Sequence, residues 1–269
     1  LLQAVIELIY PSRLQCPLCG AHSPEEALCH NCRQLLAGYA VEAICGCCGC
    51  FTGVRGDPEI TARGPDRRGW MEEDALSPGL PAGEGNLICP ACRAEPRPFD
   101  LARAVAPYEG PVREAVHRLK YRGMQQLARP LGELMASVAL REEAFARTGV
   151  ILPVPLHQHR RRQRGYNQSA LLARAVGDLL QVPVSEQVLV KTKETPSQTS
   201  LTGPQRRLNL QDAFAVADSG PVKGKIVTVI DDVFTTGSTV SILSHLLRQS
   251  GAAGVLVLTL AGTRQTGKK

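Results

Sequence analysis

From about residue 100 the apolar positions switch repeatedly between two spacings. Residues 101–108 (LARAVAPY) predict a strand. Val112, Ala115, Val116 and Leu119 then recur at i, i+3, i+4 and i+7, with Pro111 near the start, which predicts a helix. Residues 126–146 predict a second helix, and 150–155 (VILPVP) a short buried strand. Residues 166–180 predict a helix with Leu171, Leu172, Ala175, Val176 and Leu179 along one side. Residues 225–230 (KIVTVI) predict a strand, 238–249 a helix, and 254–262 (GVLVLTLAG) a closing strand. Strands alternating with helices imply an α/β fold with a mostly parallel sheet covered on both faces.

Before residue 100 no such period holds. All ten cysteines lie in the first 92 residues and none in the remaining 177, which divides the chain into a cysteine region over 1–98 and an α/β region over 99–269. Residues 51–88 are rich in Gly, Pro and charged side chains and predict a flexible insertion, with Trp70 as an incidental packing residue inside it. No run of about 18 apolar residues exists, so membrane insertion is not expected. Residues 1–10 (LLQAVIELIY) are apolar but lack a basic start and a small-residue cleavage site, so a signal peptide is not expected either. A chain that opens on Leu1 is expected to lack a few native residues. Aromatics at 4% argue against an aromatic-lined groove.

The cysteines are paired. Cys16, Cys19, Cys29 and Cys32 read C-x2-C-x9-C-x2-C, and Cys45, Cys48, Cys89 and Cys92 read C-x2-C-x40-C-x2-C. Two intervening residues let a tight turn present both thiolates to one ion about 2.3 Å away, and a second pair completes a tetrahedron. Such pairs in a chain without a secretory signal point to metal binding, not to disulfides, and two structural Zn²⁺ sites are expected. The run CGCCGC also permits Cys47 with Cys50. Cys45 and Cys48 are preferred because Gly49 follows them as Gly20 follows Cys16 and Cys19. His22 and His30 are alternative ligands that four thiolates make unnecessary.

Charge then singles out one stretch. The formal net charge is +6, and residues 151–210 hold nine Lys/Arg against three Asp/Glu. Four thiolates around one divalent ion carry −2, so two filled sites would lower the total to about +2 and leave the basic block more prominent. Such a block suits an anion: phosphate, pyrophosphate or nucleic acid.

The densest chemistry follows the KIVTVI strand, in Val229-Ile230-Asp231-Asp232-Val233-Phe234-Thr235-Thr236-Gly237-Ser238-Thr239. An apolar strand delivers two carboxylates at its C-terminal end, where open α/β sheets place ligands. A loop of hydroxyls and one glycine then enters a helix, and its backbone N–H groups suit a phosphate monoester. The two acids repel that phosphate and instead suit sugar hydroxyls or a Mg²⁺ beside it. Together they describe a phosphorylated sugar. The G-x4-G-K-[ST] order of a Walker loop is absent.

This run resembles the 5-phosphoribosyl-1-pyrophosphate (PRPP) motif of type I phosphoribosyltransferases. Further pieces narrow the resemblance: Leu119-Lys120-Tyr121-Arg122-Gly123, Arg164-Gly165-Tyr166-Asn167-Gln168, Lys191-Thr192-Lys193, Gln198-Thr199-x-Leu201, and Arg206/Arg207-x-Asn209. With the cysteine pairs ahead of them, the chain resembles the ComF family of competence-associated, phosphoribosyltransferase-like proteins. The resemblance implies a type I phosphoribosyltransferase-like sheet with a small N-terminal zinc-binding domain.

It also implies that Asp231 and Asp232 hold the ribose hydroxyls, with Mg²⁺. Thr235, Thr236, Gly237, Ser238 and Thr239 would cradle the 5-phosphate. The VILPVP strand and the turn after it would form a pyrophosphate loop with Arg160, Arg161, Arg162 or Arg164 nearby. A hood over 191–209 would contribute Lys193 and Gln198, and Lys193 and Arg164 are the residues implied in catalysis. The family pattern reads R-G-F-N-Q, so Tyr166 is an aromatic swap. His157 and His159 lie beside the pyrophosphate loop as turn histidines or as contacts. Two functions follow: transfer at ribose C1 to an unknown acceptor, or handling of single-stranded DNA in the cytoplasm with a competence helicase as partner.

Overall fold

The strands of the α/β region pair as one four-stranded sheet in which every neighbour is parallel. The computed structural model describes residues 15–23, 28–55, 87–193 and 213–264. In chain order these hold α1 (His30–Ala40), β1 (Glu42–Ile44), β2 (Phe51–Arg55), α2 (Pro90–Ala94), β3 (Leu101–Pro107) and α3 (Gly110–Tyr121). Then come α4 (Ala128–Ala139), α5 (Glu143–Ala146), β4 (Thr148–Pro153), α6 (Gln158–Arg164) and α7 (Gln168–Leu180). The chain ends with β5 (Leu189–Lys191), β6 (Phe214–Val216), β7 (Ile226–Val233), α8 (Ser238–Gln249) and β8 (Gly254–Gly262).

The sheet order is β3-β8-β7-β4. The chain begins at one edge, crosses to the other, then steps back through the middle. All nine residues of β8 are buried, as an inner parallel strand with both faces covered requires. Alternate residues feed two cores. Ile151, Ile230, Leu256 and Leu258 face Leu119, Leu131, Met135 and Leu172 from α3, α4 and α7. Val150, Val227, Val229 and Val257 face Val240, Leu243 and Leu247 of α8.

The cysteines do not stand apart from these cores. Cys16, Leu18 and Cys32 join the first, and Cys45, Cys48, Cys50, Cys89 and Cys92 join the second, so the two sets lie on opposite faces of the sheet. The second set docks through backbone: the Ala102 N–H donates to Cys47 O at 2.8 Å. Gly49 sits so close to β3 that a Cβ there would fall 2.5 Å from Ala102 O, and its φ of 65° is one that glycine adopts readily.

Three expectations change. The insertion does not begin at Phe51, because Phe51–Arg55 form β2, antiparallel to β1, with Phe51 buried and its N–H on Thr263 O. Residues 56–86, including Trp70, lie outside the described residues. The helix expected over 126–146 stops at Ala139, and a turn follows. That turn leaves Leu140 exposed, buries Phe145 and sets Glu142 against Arg103 of β3. The basic stretch after β4 is a helix, α6, and none of its residues is buried, so it carries no apolar period to read.

Candidate functional site at the end of β7

β7 runs past its apolar stretch and carries Asp231 and Asp232 in its last turn of pleat. Asp232 is buried, and its Oδ2 lies 2.5 Å from Lys120 Nζ, which reaches across from the last turn of α3. Asp231 Oδ1 accepts from Ser169 Oγ and from the Asp232 N–H, both at 2.9 Å. Burial, and then the neighbouring Asp232 charge, push the Asp231 carboxyl up to about 7, with Lys120 and Ser169 working in the opposite direction. Burial opposes the charge on Lys120, but the two carboxylates outweigh it and leave the ammonium above its ordinary value.

The segment Arg164 to Ser169 is a bracket around this pair. Asn167 caps α7, taking the Ser169 N–H on its Oδ1 at 3.1 Å and donating from Nδ2 to Val154 O at 3.0 Å. That places Ser169 at the acid and ties the start of α7 to the end of β4. Arg164 donates to Gln168 Oε1 and lies over the Tyr121 ring at 5.4 Å. The buried Tyr166 donates its hydroxyl to Leu119 O, a bond that phenylalanine at this position would lack. The two sequence pieces around Lys120 and Tyr166 are thus locked together beside the carboxylates.

After β7 the chain passes Phe234 and turns into α8. Gly237 is the N-cap, with φ 76°, and a Cβ on it would lie 2.7 Å from the Phe234 ring. Thr236 Oγ1 and Ser238 Oγ are 2.8 Å apart, and the Ser238 N–H points at Thr236 Oγ1 from 3.4 Å. Asp231, Phe234 and residues 235–239 line one small cleft. Exposed hydroxyls, helix N–H groups and the dipole of a twelve-residue helix converge there, which suits a phosphate.

Both cysteine sets have the geometry of a metal centre. In each, one sulfur per residue lies within 4.8 Å of the others. Cys19–Cys29 and Cys48–Cys89 sulfurs are 3.6 and 3.7 Å apart, against an edge of about 3.8 Å for a tetrahedron of thiolates around zinc. The second set is Cys45, Cys48, Cys89 and Cys92, the pairing preferred from the Gly49 spacing. N–H groups of Ala21 and Cys89 point at Cys19 and Cys45 sulfurs from 3.4 and 3.3 Å, as metal-bound thiolates favour.

Of the residues expected at the site, Asp231, Asp232, Thr235, Thr236, Gly237, Ser238 and Thr239 meet at one strand end, and Arg164 joins them through Gln168 and Ser169. Arg160, Arg161 and Arg162 sit on α6, which follows β4. Lys193 is exposed just after β5, which pairs with β6 apart from the main sheet. Gln198, Thr199, Leu201, Arg206, Arg207 and Asn209 lie outside the described residues.

Two basic residues escaped the sequence reading as site components. Lys120 carried only its place in a quoted motif. Arg97 had no signal at all: its Nη1 reaches Thr236 O at 3.5 Å while its side chain also meets the Cys92 sulfur. Arg97 therefore links the second cysteine set to the hydroxyl loop.

The parallel sheet, the strand-end acids and the hydroxyl loop define a protein of the type I phosphoribosyltransferase-like class with a cysteine-rich N-terminal region able to chelate metal. No protein-family model matches the chain. It is 36% identical over 190 residues to DNA utilization protein YhgH of Escherichia coli K12, a match covering 69% of this chain and 82% of that protein. It is 32% identical over 177 residues to competence protein F of Haemophilus influenzae, covering 64% of this chain and 77% of that protein. The chain belongs to the ComF family, with these proteins.

Among solved structures, glutamine PRPP amidotransferase from Bacillus subtilis aligns at 19% identity and a TM-score of 0.37, over 53% of this chain and 30% of that enzyme. The hypoxanthine-guanine phosphoribosyltransferase of Leishmania donovani aligns at 18% and 0.31, over 51% and 71%. This chain thus spans less than a third of the amidotransferase.

Proposed function

We propose that this protein binds PRPP with Mg²⁺ and transfers the phosphoribosyl group at ribose C1 to an acceptor, with two structural Zn²⁺ ions in its cysteine sets. The observation that supports this most is the direct run from the paired acids of β7 into a hydroxyl loop capped by Gly237. In this reading Asp231 and Asp232 accept hydrogen bonds from the ribose hydroxyls, and they are the residues that would hold Mg²⁺. The hydroxyls of Thr235, Thr236, Ser238 and Thr239 and the N–H groups at the start of α8 hold the 5-phosphate. Mg²⁺ held at the two acids with the ligand would supply positive charge to offset that of the departing pyrophosphate. Arg164, Arg160, Arg161, Arg162 and Lys193 are the side chains assigned to the same developing charge.

As pyrophosphate leaves, its bond to C1 breaks with both electrons, and a lone pair of the acceptor forms the new bond. Calorimetry with PRPP and Mg²⁺ tests the first half of this. Binding is expected in the wild type and lost in Asp231→Asn/Asp232→Asn, with the fold retained. Equal affinity in both would refute the assignment.

Two observations favour a second reading, in which the protein handles single-stranded DNA in the cytoplasm beside a competence helicase. Arg160, Arg161 and Arg162 stand on a short helix with no buried face, and the names of two relatives refer to DNA utilization and competence. Oligonucleotide affinity should then fall with salt by a slope of about −0.7 per phosphate neutralised. Replacing the three arginines with Ala should flatten that slope by roughly two to three phosphates' worth. PRPP with Mg²⁺ should displace the oligonucleotide. An unchanged slope in the triple variant places any DNA contact elsewhere.

A further inference from the structure

The acid pair already has a cation. Lys120 Nζ lies 2.5 Å from Asp232 Oδ2, between a carboxylate that is buried and a lysine side chain that is largely covered. The lysine does not dangle into this position. It sits in the last turn of α3, and the carbonyl of the preceding Leu119 accepts the Tyr166 hydroxyl, which fixes the backbone from which the side chain departs. The other acid is held differently, with Asp231 Oδ1 taking Ser169 Oγ and the Asp232 N–H. Neither contact carries a full charge, so among the described residues it is the Lys120 ammonium that acts on both carboxylates.

A divalent cation binds strongly where carboxylates stand unneutralised, and it is repelled by an ammonium a few ångströms away. We infer that Lys120 is the resident counter-ion of the acid pair, so that Asp231 and Asp232 take a divalent cation only when an anionic phosphoribosyl ligand arrives with it. The ligand's phosphate and pyrophosphate bring enough negative charge to hold the metal and the ammonium together. Without them Lys120 occupies the electrostatic place of the metal. This rests on the phosphoribosyl reading for the identity of the ligand, but the role of Lys120 toward a bare cation can be measured without that ligand.

The probe is Mn²⁺ alone, titrated into the whole protein and followed by the electron paramagnetic resonance of unbound Mn²⁺. Lys120→Met is expected to bind Mn²⁺ at least about tenfold more tightly than the wild type, a lower bound for removing one charge so near a divalent ion. Adding Asp232→Asn should remove that gain, which separates the acid pair from the cysteine sets. Lys120→Arg, which keeps the charge, should bind as weakly as the wild type. If circular dichroism shows that Lys120→Met does not fold, Lys120→Gln takes its place.

Equal Mn²⁺ affinity in wild type and Lys120→Met overturns the inference. So does a gain that survives Asp232→Asn, or a Lys120→Arg that binds like Lys120→Met. Titrating PRPP with Mn²⁺ into the wild type separates the two ideas. Absence of PRPP binding with the Mn²⁺ gain intact defeats the phosphoribosyl reading and supports the counter-ion. PRPP binding with no Mn²⁺ gain defeats the counter-ion alone.

Discussion

Asp231 shows how one side chain reports on its surroundings. Its carboxyl is raised from 3.8 to about 7 by burial and by Asp232, so between those two values the folded protein holds a proton that the unfolded chain releases. Its contribution to stability is therefore greatest at low pH. It declines as pH rises through that window and is flat above it. Asp231→Asn removes a group that ionises at a cost and should flatten this part of the profile. Thermal midpoints of wild type and variant across the window test it, with a slope difference that vanishes above about 7. A wild-type profile parallel to that of the variant would contradict the assignment.

At the scale of elements, α3 joins three parts of the molecule within three residues. The buried Arg118 donates from Nη2 to Pro17 O at 2.6 Å and Leu18 O at 2.5 Å, inside the turn between Cys16 and Cys19. Leu119 is fully buried and lends its carbonyl to Tyr166. Lys120 meets Asp232. A helix turns about 100° per residue, so three successive side chains leave in three directions, here toward the cysteine turn, the core and the acids.

Arg118→Met would leave two carbonyls without their donor at a cost of about 2–3 kcal/mol. It is expected to lower the thermal midpoint and to speed loss of metal from the first cysteine set. Metal release into a chromophoric chelator, compared with the wild type, reads the second effect directly. Release at the wild-type rate would mean that the arginine does not brace that turn.

For the whole molecule, the consequence of two cysteine sets on opposite faces is that each metal would brace a different core. Purified protein is expected to hold about two zinc ions per chain, one for each set of four cysteines. Cys19→Ser should reduce this to about one. Because Cys16, Leu18 and Cys32 share a core with Val112, Leu131 and Ile230, the variant should also melt earlier as a whole. Metal analysis with calorimetric melting checks both. Finding no zinc, with reactive thiols throughout, would remove the metal reading entirely. The second set has its own reach, through Arg97 to the Thr236 carbonyl, so its metal should matter more to a ligand at the hydroxyl loop than to α3.

What the sequence determined by itself is whatever depends on neighbours along the chain. The short apolar run of KIVTVI and the period of 3.6 in α3 and α8 are properties of contiguous residues, and the strands and helices follow from them. The four-cysteine sets were legible because their pair spacing reflects local turn geometry, and the acids and hydroxyl loop because they occupy one unbroken run. Only the tertiary structure decided which strands are inner and which are edges, since parallel pairing leaves no mark on the intervening sequence. It also decided that α6 is helical without a buried face, that the cysteine sets divide between two cores, and that Lys120 and Arg97 reach the site. The last two contacts each join residues far apart in the chain through one charge or one carbonyl. A single distant partner imposes no periodicity, so nothing near it in sequence foretells it.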